Sequence, residues 1–342
     1  MVIYNFKNDY SEGAHPSILE ALNNTNNYQE EGYGEDNYCK QAEKQILDIV
    51  QNPKAKVHFV SGGTQANLIV ISSILKPYES VIAAESGHIA THETGAIEAT
   101  GHKINTVISK DGKLYPEDIK AQVAYHSDEH MVKPAMVYIS NSTELGTVYT
   151  KDELEDLSAT CKKYGLYLFM DGARLAPAMT SPVNDLCFSD FARLTDVFYI
   201  GGTKNGALLG EAIVINNPLL QKNFRFMMKQ HGALLAKGRI FGIQFIELFK
   251  NDLFFKLAKH ANSMALKLSG EIKKSGYNFL TEPVSNQLFP ILPNDLIDRL
   301  SKKFGFYVWA PYNETHSSIR LVTSWATKEE MVDAFIKELK AK

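Results

Sequence analysis

A chain of 342 residues exceeds what one hydrophobic core usually serves, so two domains are expected. Its 36 basic and 39 acidic residues, net −3, supply no electrostatic footprint for nucleic acid or an anionic membrane, and no apolar run reaches the ~18 residues of a membrane span. The segment Met1–Lys7 lacks the layout of a signal peptide, and Cys39, Cys161 and Cys187 follow no metal-like spacing, so reduced thiols and a cytoplasmic location are expected.

Along the chain, strand-like apolar runs alternate with amphipathic helical stretches, which predicts an α/β fold with a mostly parallel sheet covered by helices. The Asn-rich stretch Asn23–Asn27 reads as a loop. A strand at Val57–Val60 runs through Ser61-Gly62-Gly63-Thr64 into a helix at Gln65–Ile74. A helix N-terminus behind glycines offers N–H groups and a positive dipole end to a phosphate, with a Thr64 hydroxyl beside it; an ordinary capped helix is the alternative. The spacing is neither a Walker loop nor a dinucleotide fingerprint. After the strand Ser80–Ala84 comes His88, suited to stack on a flat heteroaromatic ring and to move protons near neutral pH. His88, His92 and Glu93 do not form the H-E-x-x-H zinc pattern, and no metal is expected.

Strands follow at Ile104–Ile108 and Ala135–Ile139, the latter ending in the polar tip Ser140–Tyr149, which suits either cofactor contact or turn capping. A helix is predicted at Lys151–Tyr164. The strand Tyr167–Met170 then ends in Asp171-Gly172-Ala173-Arg174, and Val197–Ile200 ends in Gly201-Gly202-Thr203-Lys204. A last strand of this set is Ala212–Ile215. From about Ile240 the character changes to one long helical stretch reaching Lys274, strands at Phe306–Trp309 and Ile319–Thr323, and a terminal helix, Lys328–Lys340. The expected division is a large cofactor domain over 1–240, the N-terminal segment included, and a smaller C-terminal α+β domain over 241–342. Arg320 lies inside its last strand, and a guanidinium there needs an anion, either a substrate carboxylate or an internal ion pair.

Alone, Lys204 would be a solvated loop lysine. Paired with Asp171, it becomes an amine and a carboxylate at the C-terminal tips of two buried strands, where open α/β sheets bind ligands. A Schiff-base lysine with an aspartate for a pyridinium nitrogen is what pyridoxal 5'-phosphate (PLP) chemistry requires.

These segments together resemble the low-specificity L-threonine aldolases, in the β-eliminating lyase group of fold-type I PLP-dependent, transferase-like enzymes. The resemblance runs from Asn5 to Trp325 through Tyr33-Gly34-Glu35-Asp36, Ser61–Asn67, His88 with Glu93 and Gly95, Asp171–Arg174, Gly202–Gly206 and Arg320–Thr323. It implies that Lys204 carries PLP, Asp171 holds the pyridine nitrogen, His88 stacks on the ring, and Gly63 and Thr64 bind phosphate. It makes Arg174 a cofactor- and substrate-side arginine, Arg320 the carboxylate anchor, and Tyr33 a residue lining the site. Arg239 corresponds to an arginine that reaches the phosphate from a neighbouring subunit. His130 lies roughly where the family has a histidine beside the substrate hydroxyl, so His88 and His130 are the two candidate bases. Asn8 stands where many relatives have a serine contacting the carboxylate. The implied activity is cleavage of L-threonine or L-allo-threonine to glycine and acetaldehyde by a homo-oligomer with shared sites, a dimer of dimers. A β-eliminating lyase on another amino acid, or a non-catalytic PLP-fold binding protein, is the alternative.

Overall fold

The computed structural model describes residues 4–341. Its centre is a sheet of seven strands: β1 (Lys56–Val60), β2 (Glu79–Ala84), β3 (Ile104–Val107), β4 (Lys133–Ser140), β5 (Tyr167–Asp171), β6 (Val197–Gly201) and β7 (Glu211–Ile215). In space they lie in the order β1-β7-β6-β5-β4-β2-β3. Strands β3, β2, β4, β5 and β6 run parallel, and β7 is antiparallel to both β6 and β1.

The continuous apolar runs of the sequence have a direct cause. Successive side chains point to opposite faces, and both faces are covered by helices. In β4, Val137 and Ile139 enter the core on one face, and Met136 and Tyr138 enter the core on the other. Local rules set the helix ends. The helix Lys151–Tyr164 starts on a capping box of Thr150 and Glu153 and stops at Gly165, in the left-handed conformation at φ 67°.

Two sequence expectations change here. The stretch Ile240–Lys274 is two helices, Arg239–Phe249 and Leu253–Lys274, because Asn251 (φ 53°) and Asp252 (φ 57°) take left-handed conformations that break it. Asn and Asp tolerate that region better than most residues. The helix Pro16–Thr25 also absorbs Asn23 and Asn24, leaving only the end of the Asn-rich stretch as turn.

A four-stranded antiparallel sheet, with Ile291–Pro293 and Tyr307–Pro311 flanking His316–Val322 and Gln287–Leu288 added beyond, packs with the helix Glu329–Lys340 in a separate core. Phe6 joins that small core, and Tyr4–Asn5 pairs with Phe304–Gly305. The helix Arg239–Phe249, by contrast, buries Phe241, Phe245 and Leu248 in the large core. Core membership therefore changes inside the helix Leu253–Lys274, between Ala258 and Met264, and not at residue 240.

Candidate active site

Asp171 ends β5, and the turn that carries Lys204 follows β6, its neighbour in the sheet. The two strand-end turns pack backbone against backbone. Gly201 N–H donates to the Gly172 carbonyl at 3.0 Å, and a Cβ on Gly172 would lie 1.8 Å from the Tyr199 carbonyl oxygen. That approach is the reason glycine follows the aspartate.

Asp171 is buried, and both its oxygens are engaged. Oδ2 accepts from the Tyr138 hydroxyl at 2.6 Å and from Asn67 Nδ2 at 3.1 Å, while Oδ1 accepts from the Ala173 N–H at 2.9 Å. Burial alone would raise its carboxyl. The charge of His88 and the Tyr138 hydrogen bond outweigh it and hold Asp171 below the usual carboxylate range. Asn67 also donates to Glu93 Oε1 at 2.8 Å, and the same oxygen meets His88 Nδ1 at 2.8 Å. One buried amide thus ties the two carboxylates together and fixes the His88 ring.

Lys204 sits in the turn Thr203–Asn205. Burial and then the Arg174 guanidinium push its ammonium below the ordinary lysine range, against the pull of Asp9, Asp171 and Glu211. A lysine that loses its proton easily can attack a carbonyl. Arg174 itself is locked. Its Nε and one terminal nitrogen donate to the two oxygens of Asp9 at 2.8 and 3.0 Å, and Asn286 Nδ2 donates to Asp9 Oδ2 at 2.9 Å.

Arg320 answers the question its sequence position raised. It donates to the Gln287 side-chain carbonyl at 2.6 Å, its buried Nε has no partner, and no carboxylate pairs with it among the described residues. Burial and Arg174 push it down to about 10. An arginine so placed attracts an anionic ligand group.

At the end of β1, the helix Gly63–Ile74 begins with no side-chain cap, so its first N–H groups are free for an anion. A Cβ on Gly63 would lie 2.9 Å from the buried Tyr199 hydroxyl, which has no hydrogen-bond partner among the described residues. An uncapped helix start, an ionised aspartate and a lysine of lowered basicity fit the phosphate, ring nitrogen and aldehyde of PLP.

The other expected site residues lie elsewhere. Tyr33 is 46% exposed, with the Lys229 ammonium 4.6 Å from its ring centroid. Arg239 donates to the carbonyls of Tyr28, at 2.5 Å, and Thr25, and stacks on Tyr38. The His130 side chain is exposed on a turn, where the residue's backbone N–H donates to Asp128 Oδ1. Asn8 spends its side-chain oxygen on Tyr10 N–H and the Ser11 hydroxyl, so the buried acid of that segment is its neighbour Asp9.

Sequence reading passed over several members. Asp9, Asn67, Tyr138 and Gln287 are separated along the chain and carry no spacing signal. Glu144 gave one, as the acid in the polar tip after β4; its Oε1 accepts from the His88 N–H at 3.0 Å and the Ser140 hydroxyl at 2.7 Å. His92 lies 5.6 Å from His88 and 6.5 Å from Trp309, centroid to centroid. Burial and the charges of His88, Arg320, Arg174 and Lys204 lower its pKa, keeping its imidazole neutral.

A lysine and an ionised aspartate on adjacent strand tips, beside a histidine and an open helix N-terminus, match the arrangement that PLP chemistry requires, on a fold-type I architecture. The chain belongs to the beta-eliminating lyase family, whose model matches residues 7–292. It is 32% identical over 340 residues to a low specificity L-threonine aldolase of Pseudomonas sp., covering 98% of this chain and 97% of that one. Among solved structures it is similar to a threonine aldolase of Leishmania major, with TM-score 0.97, 52% identity and 98% of each chain covered. An aspartate aminotransferase of Thermus thermophilus shares the fold alone, with TM-score 0.73 and 13% identity over 98% of this chain and 90% of that one. No described helix is long and apolar enough to cross a membrane.

Proposed function

We propose that this chain cleaves L-threonine, L-allo-threonine and related β-hydroxy-α-amino acids to glycine and an aldehyde, at the site built around Lys204. The observation that carries this reading is the pairing of Lys204 with Asp171 at adjacent strand tips, beside an arginine with no acidic partner among the described residues. The similarity to threonine aldolases over nearly the whole chain favours carbon–carbon cleavage over elimination.

PLP, when bound, supplies the electron sink for the pair left on Cα. The protein's share is placement and proton handling. Lys204 provides the covalent attachment, and Asp171 opposes the ring nitrogen as a fixed anion. The start of the helix Gly63–Ile74, with Gly63 and Thr64, receives the phosphate. Arg320 takes the substrate carboxylate and so orients the Cα–Cβ bond. The β-hydroxyl proton must be accepted as that bond breaks. His88 Nδ1 is occupied by Glu93, so its exchange takes place at Nε2. Neutral His92 beside it is the second acceptor, a role that exposed His130 does not fill within this chain. A proton delivered to Cα then gives glycine.

We further infer a homodimer with shared sites, paired into a tetramer, in the cytoplasm. The separation of Tyr33 and Arg239 from the Lys204 cluster supports the shared sites, and the three free cysteines support the cytoplasm. The deciding assay mixes purified, PLP-loaded protein with L-threonine and measures acetaldehyde and glycine against ammonia and keto acid. Aldehyde with equimolar glycine is expected; keto acid and ammonia alone would replace this reading with elimination.

A further inference from the structure

The turn that carries Lys204 is held from two sides by different chemistry. On one side the holders are neutral amides. Asn205 Nδ2 donates to the Phe254 carbonyl at 3.0 Å, and Gln244 accepts from Leu208 N–H at 2.7 Å while donating to the Leu209 and Ile240 carbonyls. On the other side stands an acid, Glu211, 3% exposed at the start of β7 and followed by the apolar run Ala212–Ile215. Its Oε2 accepts from the Gly202 N–H at 3.2 Å and its Oε1 from the Thr203 hydroxyl at 2.8 Å. Thr203 Oγ in turn accepts from the Gly210 N–H at 3.0 Å, closing the loop between the two strands. Glu211 faces Gly201 across the β6–β7 pair and Val60 across the β1–β7 pair, so its own position is rigid.

We propose that Glu211 is a positioning residue for Lys204: it clamps the Gly202–Thr203 turn and, as a buried acid, supports positive charge on the lysine nitrogen. A carboxyl inside a sheet loses its hydration, and the neutral amides beside it show that backbone groups of this turn can be held without that cost. Burial raises the Glu211 carboxyl, while the Thr203 hydroxyl and the Lys204 charge oppose that rise, so its ionised form and a positive charge on the lysine nitrogen favour each other. The charged groups that act on Lys204 are Arg174, which opposes its charge, and Asp9, Asp171 and Glu211, which favour it. Asp9 is neutralised by Arg174 in a two-point ion pair, and Asp171 is engaged with Tyr138, Asn67 and the Ala173 N–H. Glu211 is thus the acid that contacts the lysine's own turn. A purely structural clamp is the competing explanation, because two donors meet two carboxylate oxygens.

The inference rests on Lys204 being the lysine that carries PLP, and the test separates the two. The visible absorbance of the PLP-loaded protein is titrated with pH for the parent, Glu211→Gln, Glu211→Asp and Lys204→Ala. Replacing Glu211 by Gln removes the carboxyl whose ionised form favours positive charge on the lysine nitrogen, so the titration midpoint of the variant should fall by about one pH unit, with PLP retained. Glu211→Asp keeps the charge but withdraws it by one methylene, and its midpoint should lie between the other two. That comparison stands alone should the Gln variant not accumulate as folded protein. Midpoints within about 0.2 units of the parent, in whichever of the two variants folds, overturn the proposal and leave only the clamp. A Lys204→Ala protein that keeps the parent band overturns the assignment of Lys204 itself, and the proposal with it.

Discussion

Two regions of this protein hold residues that the sequence singled out, and they differ in one respect. At the tips of β5 and β6, functional groups find one another within a single chain. Asp171 is joined through Asn67 to Glu93 and His88, and Arg174 is locked to Asp9. On the face formed by Tyr33, Arg225, Phe226, Lys229 and Arg239, the same kind of residue finds partners of that face alone: backbone carbonyls, Glu35 and an aromatic ring. Arg239 holds two backbone carbonyls, Tyr33 is covered by Lys229, and Phe226 is 77% exposed. A cavity of about 470 Å³ lies on this face, lined by Tyr33, Glu35, His58, Phe224 and Arg225, with none of the Lys204 cluster in it. The first region is a site in itself. The second is built of groups suited to a ligand or a partner, and it has neither within the chain.

The sharpest way to break the comparison is at its first half. Lys204→Ala should abolish turnover of L-threonine, a loss of at least ~10⁴-fold, together with the visible absorbance of the loaded protein. Near-normal turnover would move the site elsewhere. Asp171→Asn should retain PLP but lose about 10²- to 10³-fold in kcat, since an amide cannot stabilise a pyridinium charge. Because Asp171 is held below the usual carboxylate range, it stays ionised wherever an ordinary aspartate does. An acid limb of the parent's kcat profile must therefore come from another group, and its persistence in the Asn variant's residual activity checks that. Arg320→Ala should cost about 10²-fold in kcat/KM, mainly through KM, with PLP affinity unchanged; parallel loss of both would mean that Arg320 only supports the fold.

The second half is tested by mixing. If Arg239 completes a neighbour's site, combining inactive Lys204→Ala with inactive Arg239→Ala under subunit exchange should restore about a quarter of the sites. Exchange without recovery would make the Tyr33–Arg239 face an ordinary surface. The smallest effect concerns His58, which stacks on Phe224 at 4.9 Å. Burial, with Arg225 and Lys56, pushes its pKa down to about 4. The unfolded chain then binds a proton near pH 6.5 that the folded chain refuses until about pH 4, so stability is lost as pH falls through that window. The ring keeps some exposure, which limits the effect to about 2 kcal/mol. His58→Phe should flatten denaturant midpoints between pH 6.5 and 4; an unchanged slope would place the ring in solvent.

Much of the site was legible because its parts follow strands. An apolar run that stops at Asp171 or before Lys204 announces a strand tip, and the glycines beside them announce close packing. The interior sheet strands were readable for the same reason, as fully buried strands are continuous apolar runs, while the edge strand Ile104–Val107 is only partly buried. The helix break at Asn251–Asp252 was not, because its cause is backbone conformation at two residues that also fit a helix surface. The change of core inside one long helix escaped too, since Ala258 and Met264 are equally apolar and differ only in what they touch.

By itself, then, the sequence determined the chemistry on offer: a lysine, an aspartate, a histidine, an arginine in a strand and an open helix start. Tertiary structure decided which acids pair with which bases. Asp9 with Arg174 spans 165 positions and Arg320 with Gln287 spans 33, distances over which no local pattern fixes a partner. It also decided that Arg320 meets an amide and no carboxylate among the described residues, that the His130 side chain is exposed, and that Asp9 and Glu211 are buried. The physical reason is common to all of these. Periodicity reports which way a side chain points along its own element, whereas charge pairing and desolvation depend on what other elements bring against it.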